Sequence, residues 1–171
     1  MSLIIVTVCL AAISALYFYN NPLRHDSRFM LRRYINWFPL GMTYAFLYMG
    51  RYNLTVSKTA LGTLMSKEDL GIIFAAGTWT YALSFLINGP LVDKIGGKRG
   101  IVIAALGSSL ANIVLGVLTY LVANGQLKMN LVVAFSTIYA INMYFQSYGA
   151  VSIIKVKAYW FHVRERGVFG A

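Results

Sequence analysis

Apolar and polar positions alternate along this chain in long blocks rather than in the short periods of a soluble domain. Each apolar block is close to the roughly 20 residues that an α-helix needs to cross a hydrocarbon core about 30 Å thick. The pattern predicts an all-α polytopic membrane protein whose successive spans run antiparallel. The predicted spans are residues 2–19, 34–56, 70–92, 101–123 and 131–154.

The first apolar block has two interpretations, a cleaved signal peptide or a retained helix. A signal peptide carries positive charge before its apolar region and an A-x-A-like site after it. Here no charged side chain precedes the block, and YFYNNPLRHDSR follows it. We therefore predict an extra N-terminal transmembrane helix over residues 1–20 and a basic cytoplasmic segment over residues 21–33.

The composition agrees with a membrane protein, since only 12% of the residues are charged, against about 25% in soluble domains. The net charge of +10 could suggest nucleic acid, but the basic residues are concentrated in alternate loops. The positive-inside rule places those loops in the cytoplasm and the N-terminus outside. No basic stripe is interleaved with stacking aromatic residues, so we exclude nucleic-acid binding. His25 and His162 lie in the basic loops, where we expect both to be solvated.

An arginine, Arg51, interrupts the second apolar block. Near the centre of a lipid-embedded helix an arginine costs about 2.5 to 3.5 kcal/mol, so a cavity, a partner or an escape to the interface must compensate it. One alternative is snorkelling, because Arg51 lies about five residues from the outer end of its block, roughly 7 to 8 Å at helical rise. The other is a water-filled cavity inside the helix bundle.

Helical spacing favours the cavity. Polar and aromatic residues recur every three or four positions in three of the blocks, and polar residues of a span face the bundle interior rather than lipid. Hydrogen bonding between helices is the alternative role for the amides among them. The three stripes are Gly41, Tyr44, Tyr48, Arg51, Thr55 and Lys58; Gly77, Tyr81, Ser84 and Asn88; and Tyr139, Asn142, Gln146 and Gly149.

The string GPLVDKIGGKR, residues 89–99, covers the end of the third block and the connection after it. It closely resembles the signature loop between the second and third helices of major facilitator superfamily transporters. Asp93 lies at the C-terminal end of a helix, where the macrodipole is already negative, so its charge needs a nearby cation. A merely solvated turn is the alternative. We predict a gating role for Asp93 with Lys94, Arg99, Arg164 and Arg166 as its basic partners.

Two further stretches, YMGRYNLTVSKTAL and WFHVRERG, resemble segments of the organophosphate:phosphate antiporter family. The resemblance covers residues 30–171. It implies the major facilitator fold, with residues 34–171 forming the first four helices of that fold and the start of the fifth. Because that fold has twelve helices in two halves, we expect the chain to be an N-terminal fragment whose C-terminal half is missing.

The resemblance also implies a substrate site. The family arginine that matches Arg51 binds the substrate phosphate, and tyrosines match at three further positions. The sequence departs from the family at two positions, since Tyr52 and Phe85 stand where some members have lysines. A site with fewer positive charges favours a monoanion over a phosphate dianion. With the two amides from the stripe of the fifth block, the predicted substrate-binding residues are Arg51, Tyr44, Tyr48, Tyr81, Asn142 and Gln146.

The implied function is secondary active transport of a small organic or phosphorylated anion by alternating access, in exchange for phosphate. The expected location is a bacterial inner membrane, with the lipid bilayer and the anion as partners. A proton-coupled symporter of organic or sugar acids and a transporter-like sugar-phosphate sensor are the alternatives. We expect no enzymatic activity, cofactor or metal site, and the single cysteine, Cys9, excludes an intrachain disulfide.

Overall fold

A computed structural model describes residues 2–166 as a helical bundle without strands in that range. Four helices of 25 to 30 residues make up most of it, and one of them continues into a shorter helix after a break. The helices are α1 (Ser2–Tyr19), α2 (Ser27–Arg51), α3 (Asn53–Leu61), α4 (Lys67–Ile95), α5 (Gly97–Ala123), α6 (Leu131–Trp160) and α7 (Val163–Arg166), with a 3-10 turn at Gly62–Leu64.

Side-chain caps set the helix starts within polar sequence. Asp26 accepts a hydrogen bond from the backbone N–H of Arg28 at the start of α2. Ser66 and Asp69 form a reciprocal capping box at the start of α4. Such caps satisfy backbone donors that a helix start leaves free. Helices α2 and α4 therefore begin seven and three residues before the apolar blocks at 34 and 70.

The second apolar block is not one helix. The α-helical hydrogen-bonding pattern is interrupted at Tyr52, which stands between α2 and α3 with φ −72° and ψ −13°. Its backbone N–H bonds to the carbonyl of Met49 at 3.0 Å, a tighter turn than the α-helical one. Our prediction of a continuous span over residues 34–56 missed this break, which follows directly on Arg51.

Helix α6 packs along both α4 and α5, while α2 and α3 pack against α5. Glycines make these contacts close: a Cβ on Gly77 would overlap the ring of Tyr139, and one on Gly107 would overlap the ring of Phe145. Small residues at such crossings allow the backbones to approach. The buried cluster at one end of the bundle contains Leu54, Leu61, Met65, Ile73, Leu115, Val122, Phe135, Tyr139 and Met143.

Helices α4 and α5 are long and apolar enough to cross a membrane. The apolar stretch Ile4–Tyr19 of α1 is shorter than that length. Large apolar side chains point outward on both long helices, as Leu86 and Leu106 do with exposed fractions of 76% and 68%. Lipid contact explains such exposure better than water does. For the other predicted spans, membrane crossing stays a prediction.

Candidate functional site

Arg51 is the last residue of α2, and its side chain turns inward toward α4 and α6. The guanidinium carbon lies 4.1 Å from the ring centroid of Tyr48 and 4.6 Å from that of Tyr81. Its Nε donates a hydrogen bond to Oε1 of Gln146 at 2.5 Å. Its Nη2 is buried and has no hydrogen-bond partner among the described residues. The head group therefore retains hydrogen-bonding capacity that a ligand could satisfy.

A buried polar network stands behind this arginine. Gln146 donates from Nε2 to Asn142 Oδ1 at 3.0 Å and to Ser108 Oγ at 3.3 Å. Ser108 in turn donates to Asn142 Oδ1 at 2.6 Å. All three side chains are at most 2% exposed. The two predicted amides thus lie behind Arg51 and fix its orientation, and Ser108, which the polar stripes did not include, is the α5 member of the network.

Arg51 is one of the residues that line a cleft of about 330 Å³. A larger cleft of about 420 Å³ lies between α2 and α5, but none of its lining residues is charged, so it offers no charge to an anion. Tyr44 lies one helical turn before Tyr48, and its hydroxyl donates to that of Tyr48 at 3.3 Å. The cleft at the arginine is lined by Tyr48, Arg51, Tyr52, Thr55, Phe74, Thr78, Tyr139 and Met143.

Asp93 forms an ion pair with Lys155, which the sequence analysis did not propose as its partner. Lys155 Nζ on α6 lies 2.6 Å from Asp93 Oδ1 and donates to the Asp93 carbonyl at 2.9 Å. The Asp93 side chain is 71% exposed, so this is a surface pair. Lys94 and Arg99 are exposed on the same surface.

The segment near residue 164 does not supply the partner of Asp93 either. Arg164 is exposed, whereas Arg166 donates to the backbone carbonyls of Phe161 and Ala158 at 3.0 and 2.7 Å. The structure therefore brings Arg51 together with the predicted tyrosines and amides, whereas within the described residues Asp93 forms its ion pair with Lys155 and with none of the predicted basic partners.

A buried ion pair connects α2 to α7. Arg33 Nη1 lies 3.0 and 3.1 Å from the two carboxylate oxygens of Glu165, and both side chains are fully buried. Arg33 Nε also donates to the hydroxyl of Tyr17 on α1 at 2.8 Å. The Nε2 of His25 lies 3.3 Å from Glu165 Oε1. The expectation of a solvated His25 was wrong, because its ring faces this carboxylate with 25% exposure.

The environment of Glu165 favours its charged form. Burial raises the pKa of this carboxyl, but the hydrogen bonds from Arg33 and from the backbone N–H of His162, with the Arg33 charge, outweigh burial. Its pKa is therefore held below the ordinary value. The cluster secures the ends of α1 and α2 against the segment that follows α6.

Comparison with known proteins agrees with this helical arrangement. Residues 40–170 match the model of the Major Facilitator Superfamily. The chain belongs to the Major Facilitator Superfamily. This confirms the predicted family and its all-α fold. Helix α1 lies outside the matched region, and the predicted domain boundaries at residues 20 and 33 stay predictions.

Individual relatives in this superfamily are distant. Membrane sensor protein UhpC of Salmonella typhimurium (strain LT2) is 23% identical over 155 residues, which is 86% of this chain and 33% of the relative. UhpC of Escherichia coli (strain K12) is 24% identical over 153 residues, 85% of this chain and 32% of that protein. A D-galactonate transporter of Escherichia coli O6:H1 is 29% identical over 94 residues, which is 54% of this chain and 22% of that protein.

The chain thus spans about a third of the length of the sensor proteins that it matches. No solved structure matches it significantly. The family membership therefore rests on the matched residues 40–170, and the chemistry of the site rests on the geometry around Arg51.

Proposed function

We propose that this chain functions in a secondary active transporter, which moves a small organic or phosphorylated anion by alternating access. The transporter exchanges this anion for phosphate across a bacterial inner membrane. The observation that supports this most directly is the position of Arg51. A buried guanidinium nitrogen without a partner, inside a helix bundle, is an energetic cost that an anionic ligand would offset.

The guanidinium suits this role by its shape and by its neighbours. An arginine presents paired N–H donors that match two oxygens of a carboxylate or phosphate, which a lysine cannot do. Tyr48 and Tyr81 hold the cation by their ring faces, at 4.1 and 4.6 Å from the centroids. Gln146 fixes Nε, so the remaining donors are oriented before the anion arrives. Such preorganisation reduces the ordering cost of binding.

The other predicted residues receive separate roles in this proposal. Tyr44 extends the aromatic wall by one turn and hydrogen-bonds Tyr48. Asn142 acts through Gln146, which it holds at 3.0 Å. Asp93 with Lys155 forms a latch on the cytoplasmic surface, since the pair joins the end of α4 to α6.

A sensor is the second candidate, because two of the relatives are named membrane sensor proteins. A sensor and a transporter can share the same anion site, but only a transporter exchanges its ligand across the membrane. Counterflow in proteoliposomes separates the two functions. Uptake of labelled anion against internal unlabelled anion supports the transporter, whereas saturable binding without counterflow supports the sensor.

The binding site is tested by substitution of Arg51 in the full-length protein. Truncation of one partner of a desolvated charge pair typically costs about 2 to 5 kcal/mol, so Arg51→Ala should weaken anion binding by roughly 30-fold or more. Arg51→Lys should recover only part of the loss, since it keeps the charge without the fork. Arg28→Ala, an exposed arginine of α2, is the matched control and should bind normally. An unchanged dissociation constant in Arg51→Ala would exclude the proposed site.

The latch is tested through its charges. Asp93→Asn and Lys155→Met should both lower the transport rate while binding stays measurable, because each removes the same ion pair. An exposed ion pair contributes only about 0 to 1 kcal/mol, so its loss would change the ratio of the two conformations by up to about 5-fold. The charge-reversed pair, Asp93→Lys with Lys155→Asp, should regain part of the rate. Wild-type transport in both single variants would contradict the latch.

A further inference from the structure

The partner of Arg51 carries no charge. Its Nε bonds to the amide oxygen of Gln146, and Gln146 in turn bonds to Asn142 and Ser108, which are also neutral. The full sequence contains five acidic residues, and all of them lie in the connections or at helix ends, away from the site. They are Asp26, Glu68, Asp69, Asp93 and Glu165.

The described side chains that face the arginine from each packed helix also include neither a carboxylate nor an imidazole. Tyr48 comes from α2, Tyr81 from α4, and Tyr139 from α6, where it lines the same cleft. Helix α3 adds Thr55 to the cleft, and the cation of α3, Lys58, is directed to the carbonyl of its own C-cap. Carboxylates and imidazoles, which titrate at about pH 4 to 6.5, are absent from this described neighbourhood.

We infer that anion binding at Arg51 takes up no proton, and that the bound anion is itself the counter-ion of the arginine. This inference rests on the proposed function. A carboxylate in place of Gln146 would pair with Arg51 and compete with the substrate, so it would have to be protonated before an anion could bind. The amide occupies Nε without neutralising the cation. The site therefore selects the ionised form of its ligand and does not couple it to a proton.

This charge balance favours exchange over net transport. Among the described residues no counter-charge meets the arginine of the empty site, and moving such a site through a conformational change that closes it from water is unfavourable. With an anion bound, the pair is close to neutral. The loaded form therefore changes conformation more readily than the empty one, which is the property that makes a carrier exchange one anion for another. A proton-coupled symporter would need its titratable group elsewhere.

The test uses two anions that remain ionised throughout the pH range, D-galactonate and sulfate, with the purified full-length protein. From about pH 5.5 to about pH 8 the wild-type dissociation constant should change by less than about three-fold. A pH-sensitive dye in weak buffer should report no proton uptake on binding. A change of about ten-fold per pH unit, or uptake of one proton per anion, would overturn the inference even if Arg51→Ala abolishes binding.

Substitution of Gln146 provides the converse experiment. Gln146→Glu should add a proton linkage, so that binding weakens by up to about ten-fold per pH unit above the pKa of the new carboxylate. Gln146→Met removes the hydrogen bond without adding charge, and it should weaken binding equally at every pH. If Gln146→Glu binds with no pH dependence while Gln146→Met is weakened, the charge argument is wrong. If the anions bind equally to wild type and Arg51→Ala, the proposed function itself fails.

Discussion

The buried pair of Arg33 and Glu165 predicts a large loss of stability when only one partner is removed. Glu165 accepts two hydrogen bonds from Arg33 Nη1, at 3.0 and 3.1 Å, and one from the backbone N–H of His162 at 3.2 Å. Glu165→Gln keeps the size of the side chain but leaves the guanidinium without its counter-charge. Both side chains are fully buried, so water cannot replace the carboxylate unless the segment opens.

The expected magnitude follows from this burial. Removal of one partner of a buried ion pair costs about 3 to 5 kcal/mol. A chain of this size loses roughly 2 to 4 °C in midpoint per kcal/mol, so Glu165→Gln should unfold roughly 6 to 20 °C lower than wild type. The assay is a fluorescence-monitored thermal transition of purified protein in detergent. Asp93→Asn is the matched control, because its exposed pair with Lys155 contributes only about 0 to 1 kcal/mol.

A double-mutant cycle identifies the interaction. Arg33→Met alone should lose as much as Glu165→Gln, and the double variant should lose far less than the sum, because it leaves no unpaired buried charge. Losses that add, or single variants within about 1 °C of wild type, would refute the reasoning. Faster trypsin cleavage after Arg164 in the single variants should accompany the change, since unfolding of α7 makes the backbone at this exposed residue accessible to the protease.

The same pair has a defined pH dependence. The pKa of Glu165 in the folded protein is lower than its ordinary value, because the bonds from Arg33 and His162 outweigh the effect of burial. A depressed folded-state pKa means that the unfolded state binds the proton more tightly, so the stabilisation is complete above the ordinary value of about 4.3. It is lost as the pH falls through the folded-state pKa. Wild type and Glu165→Gln should therefore differ fully at neutral pH and converge in acid.

Two further predictions concern packing and topology. Gly77→Ala should lower the thermal midpoint, because its Cβ would overlap the ring of Tyr139 and overpacking costs about 1 to 3 kcal/mol; Gly116→Ala, whose Cβ would meet open space, should not lower it. In intact cells with a cysteine-free background, an impermeant thiol reagent should label Asn124→Cys but not Lys98→Cys, both exposed positions. The reverse pattern would invert the predicted orientation.

The spacing of polar residues located much of the candidate site before the structure did. Residues at intervals of three and four on a helix share a face, so Tyr44, Tyr48 and Arg51 were expected together, and the structure places them so. The facing stripe of α6 predicted that Asn142 and Gln146 point into the bundle, and both are at most 1% exposed. The helix ends were less predictable, because caps such as that of α4 lie in polar sequence outside the apolar blocks.

Contacts between distant segments could not be predicted from such periodicity. The pairing of Asp93 with Lys155 joins residues 62 positions apart, and several nearby cations were equally plausible from the sequence. Glu165 lies 132 positions after Arg33 between two arginines, and the sequence analysis did not single it out. Its burial depends on the packing of α7 against residues of α1 and α2, and no local sequence pattern predicts that packing.

Arg33 and Arg51 both point into the helix bundle, but their different hydrogen-bond partners suit them to different roles. Arg33 faces a carboxylate that meets its charge, so it is suited to hold helices together and has little to offer a ligand. Arg51 faces an amide that meets one N–H group and none of the charge. In a low-dielectric bundle an uncompensated cation attracts an anion far more strongly than it would in water. In the proposed site, the difference between Glu165 and Gln146 as partners therefore distinguishes an arginine that holds helices together from one whose charge is available to an anion.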